Sequence, residues 1–470
     1  MKKILLLVLL AMSFTSTAQQ LVLKKGIILD SVKVNDSIPE SFSLYLPKQF
    51  EMTETWPVVF VFDTQGNGKR ALSLFAEVAE KHGYVLAASN NVHDSLSISK
   101  NVIISNRMFN TIFSILPIKR DRSYTAGFSS GARLASVIPV FIKNIRGVIS
   151  SGAPIANTEL LTTKNPFHFI GIVGDKDFNY LDMLSLETVL NRFKFPNQLL
   201  VFDGRHEWPS MEYLSKALEY FTLAAMAKGE ASSDNELIRQ TYSQNLGEVS
   251  SLMSSNKPLR ADHRLSQMLR VYKGNGRRDS LKATRKSLRR SKGYRAQKRM
   301  QSTAFLKENL IKDDYDYYLE EDILTYNYNN LGWWTYQMEV LEKYISSTNV
   351  FEQRMAERLR GYINALIEDN IDLVNVQDTV DEEALNFLWM LKTITAPKEF
   401  KNYLKVISHN AKFSDYGTAI FYLEELLKQG YVNKDELYSL ENTSLLRITP
   451  EFNELVEKYL KEARYDIIEE

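Results

Sequence analysis

At 470 residues the chain has room for two or three domains at roughly 150 residues each. A composition of 44% hydrophobic and 24% charged residues, with 20 Gly and 12 Pro, excludes a collagenous, mucin-like or wholly disordered chain. A net charge of +1 announces no polyanion partner for the whole chain, and the absence of cysteine excludes a disulfide framework, a thiolate metal site, a cysteine nucleophile and a lipid-modified N-terminal cysteine.

The chain opens with Lys2 and Lys3, the apolar run Ile4 to Met12, and small residues that place Ser16 and Ala18 at the −3 and −1 positions of a cleavage site. The pattern predicts a signal peptide over 1–18, too short to span a bilayer, and an exported protein, periplasmic or secreted. No later run reaches about 18 consecutive apolar residues, so no transmembrane span is expected. Export without cysteine suits a Gram-negative periplasm.

Residues 19–228 alternate β-rich runs with helical windows, as an α/β sheet requires. Ser41 to Pro47 alternates like a half-exposed strand. Pro57 to Asp63, Tyr84 to Asn90, Ser123 to Phe128, Gly147 to Gly152, Phe167 to Gly174 and Gln198 to Gly204 are nearly continuous apolar runs, the signature of parallel strands buried on both faces. Ala71 to Gly83 reads as one amphipathic helix. A last helix is predicted with Pro209 in its first turn and Gly229 past its end.

Residues 229–235 read as a linker. From 236 to 470 strand-like runs vanish and heptad-like spacings such as Trp333 to Ile345 and Ala419 to Tyr431 predict an all-helical domain. Stacked helix pairs of a tetratricopeptide-like kind would fit it, without a fixed 34-residue period. Charge is segregated here: Lys257 to Arg299 holds 16 Lys/Arg against two Asp, whereas Asp/Glu exceed Lys/Arg by 15 from Gln301 onward. The basic stretch reads as a solvated face that also pairs with the acidic region, in preference to a surface for nucleic acid, lipopolysaccharide or acidic glycan.

Chemistry concentrates at Gly127-Phe128-Ser129-Ser130-Gly131, a G-x-S-x-G sequence between a predicted strand and a predicted helix. Such a turn is so tight that side chains at the flanking positions would collide, hence glycine at both, and it lifts Ser129 to a helix N-terminus where free N–H groups favour a developing oxyanion. A serine nucleophile needs a base, and the base needs an acid to orient it. In the order Ser, Asp, His, the acid falls in Val173 to Tyr180, where Asp177 is favoured and Asp175 is the reserve. The base is His206, on the loop after the last predicted strand. For the oxyanion, one donor is the amide of Ser130 and the other comes from the loop after the strand Pro57 to Asp63, from Thr64 or Gln65.

These segments resemble an α/β-hydrolase of the esterase and polyhydroxybutyrate-depolymerase-like group, in the elbow GFSSGARLA, the acid segment VGDKDFNY and the histidine segment FDGRHEWP. The resemblance implies Ser129 as nucleophile, Asp177 as acid and His206 as base. It departs at Asp63, where that group usually carries a histidine. The helical half resembles extensions on exported Bacteroidetes hydrolases.

Only 14 residues, Ala153 to Pro166, separate two of the strands, which leaves little room for a large cap and predicts an open pocket. Phe128, Trp208 and the pair Asn90-Asn91 are expected near its rim, the aromatics serving either to hold a sugar or aryl group or simply to pack. The sequence thus predicts a serine hydrolase of carboxylic esters, polysaccharide-linked or polymeric ones included, needing no metal or organic cofactor and no nucleic acid. The helical domain would bind a protein partner or shape access. A serine peptidase and a binding protein on a hydrolase scaffold are the alternatives. A piece ending near Ser233 contains every predicted strand and all three chemical residues, so the chemistry is expected to need nothing beyond it.

Overall fold

The computed structural model describes residues 23–272, 278–461 and 463–465, so the signal-peptide segment lies outside the described residues. Among the described residues, eight strands form one sheet: β1 (Ile28–Asn35), β2 (Ile38–Tyr45), β3 (Trp56–Phe62), β4 (Val85–Ser89), β5 (Ile118–Phe128), β6 (Ile145–Ser151), β7 (His168–Gly174) and β8 (Asn197–Phe202). Their spatial order is β1-β2-β4-β3-β5-β6-β7-β8. The first two form a hairpin, β2 runs antiparallel to β4, and β4, β3, β5, β6 and β7 are parallel neighbours. A parallel core must be covered on both faces, and Val58 to Phe62 of β3 are accordingly all fully buried.

Among the described residues, six helices accompany the strands: α1 (Gly68–Ser73), α2 (Ala76–His82), α3 (Ile98–Ile115), α4 (Ser130–Phe141), α5 (Tyr180–Arg192) and α6 (Met211–Ala227). The sheet is thus mixed and mostly parallel, with helices interleaved between its strands. From Asn235 onward the described elements are all helical: α7 (Asn235–Ser254), α8 (Pro258–Val271), α9 (Arg278–Arg290), α10 (Lys292–Thr325), α11 (Leu331–Ile345), α12 (Val350–Asn375), α13 (Glu382–Thr395), α14 (Phe400–Lys412), α15 (Tyr416–Lys428), α16 (Lys434–Ser439) and α17 (Pro450–Leu460).

Three sequence expectations change. Strand β1 was not anticipated, because Asp30, Ser31 and Lys33 dilute its apolar alternation at the sheet edge. The single helix expected from Ala71 to Gly83 is two, broken at Leu74-Phe75, with Gly83 closing α2 in the left-handed conformation at φ 67°. Pro209 lies outside α6, whose N-cap is Ser210.

The chain divides into two compact units. One comprises the described residues of Met1–Ile172, Glu187–Leu200 and Trp208–Ile238; the other comprises Val173–Leu186, Val201–Glu207 and the described residues of Arg239–Glu470. In the first, Tyr124 and Phe221 stack with centroids 4.1 Å apart and Phe60 packs on Phe109. In the second, one apolar cluster gathers around Trp334 and the α12 stripe Met355, Leu359, Ile363 and Ile367, and another around Val406, Leu423, Leu426 and Leu446.

Candidate active site

Strand β5 delivers Ser129 and α4 begins one residue later. Ser129 sits at φ 52° and ψ −120°, a backbone conformation that costs a non-glycine residue roughly 1–3 kcal/mol and is tolerated only when its surroundings enforce it. They do so with hydrogen bonds and with two glycines. The Ser129 N–H donates to the Ser151 carbonyl at 3.0 Å, while its own carbonyl accepts from Ala132 and Arg133, both at 3.0 Å. A Cβ on Gly127 would lie 2.3 Å from backbone atoms of Gly131, and one on Gly131 would lie 2.3 Å from the Phe62 carbonyl oxygen. No side chain fits at either position, which is the reason the sequence reads G-x-S-x-G.

The loop after β3 reaches the same turn. Thr64 Oγ1 and Ser130 Oγ are 2.6 Å apart. The Gln65 N–H turns back onto Asp63 Oδ1 at 2.9 Å and its side-chain amide donates to Asp94 Oδ2 at 2.6 Å, so both of its donor groups are engaged within the loops. Asn91 is likewise engaged: its Oδ1 accepts from the Ser41 N–H at 2.8 Å and ties the start of β2. Phe128 and Trp208 pack on each other with centroids 5.2 Å apart, and Trp208 also meets Phe75 edge-on at 6.2 Å.

Asp177 and His206, the acid and base expected from the sequence, lie in the second compact unit. Asp177 follows β7 by three residues and is 1% exposed. Its Oδ2 lies 3.0 Å from His206 Nδ1, and its Oδ1 accepts from the Asn179 N–H at 2.8 Å. Both carboxylate oxygens are thereby committed, which fixes the imidazole orientation and, with Nδ1 donating, assigns the tautomer that leaves Nε2 basic. Two backbone bonds tie the acid loop to the histidine loop: Asp175 N–H to Phe202 carbonyl at 3.0 Å, and Lys176 N–H to Gly204 carbonyl at 2.9 Å.

Asp175 has a different environment. It is 2% exposed and faces Arg354 Nε at 3.1 Å and Arg260 Nη1 at 3.7 Å. Burial pushes its carboxyl above the usual range, against the pull of Arg354 and Arg260. The sequence reading missed Phe178, whose ring lies 4.5 Å from that of His206, and the arginines beneath the acid loop. The signal for the latter was present as Arg354, Arg358 and Gly361, spaced to share one face of a helix. Among the described residues no group of three His, Asp or Glu side chains could hold a metal ion, and no helix is long and apolar enough to cross a membrane.

No protein-family model matches the sequence, and no curated protein matches it either. Among solved structures the chain is similar to S-formylglutathione hydrolase from Staphylococcus aureus, at 15% identity over 42% of this chain and 96% of that one, with a TM-score of 0.33. It is also similar to Est1E from Butyrivibrio proteoclasticus, at 12% identity over 43% and 99%, TM-score 0.34. A third likeness is to esterase B from Lactobacillus rhamnosis, at 16% identity over 49% and 96%, TM-score 0.36.

Proposed function

We propose that the chain is a serine hydrolase that cleaves carboxylic esters through Ser129, His206 and Asp177. The observation that carries this reading is the strained Ser129 backbone, held at φ 52° between two glycines that admit no side chain. A turn of this kind costs conformational energy, and its chemical consequence is to raise a hydroxyl at the head of α4. Support comes from the Asp177–His206 hydrogen bond, which supplies an oriented base. Sheet order supports it as well, since Ser129, Asp177 and His206 each follow the C-terminal end of a strand, where α/β sheets carry their ligands.

In the reaction, Ser129 Oγ attacks the ester carbonyl carbon as His206 Nε2 accepts its proton, and Asp177 stabilises the imidazolium that forms. The N–H groups of Ser130 and Thr64 stabilise the oxyanion, Thr64 being favoured over Gln65 because Asp63 already holds the Gln65 amide. Collapse expels the alkoxide, which takes the proton from His206 and leaves acyl-Ser129. Water, deprotonated by His206, then attacks the acyl carbon; the carboxylic acid leaves and Ser129 regains its proton. We also infer export, on the strength of Lys2, Lys3 and the run Ile4 to Met12; cell fractionation with N-terminal sequencing starting at Gln19 tests it.

The test of the activity is hydrolysis of p-nitrophenyl esters of graded acyl length beside peptide anilides, using full-length protein and Ser129→Ala. Ester cleavage that falls at least about 10⁴-fold in Ser129→Ala is expected. Cleavage of anilides alone would make the protein a peptidase, and a folded wild type inert on every substrate would leave only a binding role for the fold.

A further inference from the structure

Within the second compact unit, one face of α12 contacts the acid and histidine loops at four points. Arg354 Nε lies 3.1 Å from Asp175 Oδ2. Glu357 pairs with Arg205, the neighbour of His206, at 2.8 Å. Arg358 Nη1 donates to the Asp175 carbonyl at 2.7 Å. Gly361 leaves so little room that an added Cβ would stand 3.3 Å from the Phe178 ring, and Phe178 is the residue that packs on His206. Positions 354, 357, 358 and 361 share one helical stripe, separate from the Met355, Leu359, Ile363 stripe that builds the core. Two other helices join in: Arg260 of α8 donates to the Val201 carbonyl at 2.5 Å, and Lys312 of α10 donates to the Phe178 carbonyl at 3.2 Å.

The centre of this arrangement is a buried ion pair. Arg358 is 2% exposed and Glu308 of α10 is fully buried, with Nε and Nη2 of the arginine on the carboxylate at 2.8 and 2.6 Å. Apolar residues of similar volume would stabilise a helix contact at least as well as such a pair, because both charges lose their hydration. What the pair supplies is direction: Glu308 fixes the guanidinium so that its third nitrogen can meet one carbonyl, two residues ahead of Asp177.

We propose that this face of α12 positions the Asp177–His206 pair, with Arg358 and Gly361 as its principal positioning residues, so that the helical region sets the geometry of that pair. The proposal rests on the reading of Asp177 and His206 given above. Arg358 sets the height of the acid loop through the Asp175 carbonyl, and Gly361 sets how closely Phe178 can back the His206 ring. Neither touches substrate.

The test uses full-length Arg358→Met, Arg358→Lys and Gly361→Val, with Leu427→Ala as a control in the cluster of α14–α17. On the p-nitrophenyl ester that wild type cleaves best, Arg358→Met and Gly361→Val should lower kcat by about 10²-fold while KM stays within about threefold. Both should also lose the low-field proton resonance of the His206 Nδ1–H, with part of kcat and of the resonance restored in Arg358→Lys. Leu427→Ala should lower the thermal midpoint and leave kcat and the resonance unchanged. Folded Arg358→Met or Gly361→Val with wild-type kcat and resonance would overturn the proposal, as would an equal loss of both in Leu427→Ala. Where Arg358→Met fails to fold, Gly361→Val decides alone. A wild type that cleaves no ester counts against the proposed activity, and the resonance, which needs no turnover, still decides the positioning.

Discussion

Asp175 and Asp177 stand two residues apart and meet opposite fates. Asp177 is spent on His206 and on the Asn179 amide, whereas Asp175 is buried against Arg354 and Arg260. Asp177→Asn should therefore lower kcat by about 10³- to 10⁴-fold with little change in thermal midpoint, because the imidazole loses the partner that sets its tautomer. Asp175→Asn should do the reverse: leaving Arg354 and Arg260 without their carboxylate is expected to cost about 2–4 kcal/mol of stability, with a smaller loss of kcat. Steady-state kinetics paired with thermal unfolding checks the ranking, and the opposite order would make Asp175 the acid. The sequence pointed to the segment and favoured Asp177, since strand ends and turn residues are legible; it did not show what Asp175 does, because that depends on arginines from more than 80 residues away in the chain.

At the scale of elements, what was legible follows from periodicity. The apolar runs at the centres of β3 to β8 were anticipated, as was the strand-turn-helix that holds Ser129, whereas the charged first five residues of β5, Ile118 to Arg122, were not. The charged edge strand β1 has no such run, and the break between α1 and α2 comes from packing that local propensity does not encode. Helix α12 carries two stripes at once, one apolar and one of arginine, glutamate and glycine, and only the apolar one announces itself in a hydropathy pattern. The two stripes should separate in mutagenesis. Ile363→Ala, on the core face, is expected to lose about 2–5 kcal/mol of stability while kcat of the folded protein is unchanged. Chemical denaturation and kinetics at a temperature well below the midpoint make that comparison; a loss of kcat with Ile363→Ala would show that the two faces act as one.

For the whole molecule, the half-buried His82 and the buried His168 contribute to the response to acid. Burial, with Lys81 adding to it, lowers His82 to about 4, and burial lowers His168 to about 4 despite its hydrogen bond with Gln198. Both stay neutral in the fold at pH 5–6 while the unfolded chain takes up protons near pH 6.5, so the unfolded state binds more protons and stability falls as pH drops from about 6.5 towards 4. Each contributes at most about 1.4 kcal/mol per pH unit. The thermal midpoint should accordingly fall between pH 7 and pH 5, and the fall should be smaller in His168→Gln; an unchanged slope would assign the acid response to other groups.

The same scale revises the expectation that a piece ending near Ser233 carries the chemistry. Residues 173–186 and 201–207 belong to one compact unit with the helical region, and a chain cut there removes every partner of Asp175, Phe178 and Arg205 that the helices supply. Such a piece is expected to be inactive even when soluble. Composition predicted a linker over 229–235, but composition carries no information about which loops the helices grip.

The central claim is that Ser129 is an activated nucleophile, and the measurement closest to it is covalent capture. Full-length protein treated with a fluorophosphonate probe and mapped by peptide mass spectrometry should carry one adduct, on Ser129, that is absent in Ser129→Ala and slowed in Asp177→Asn. A folded wild type that takes no label, or takes it on Ser130 or any other serine, would contradict the account.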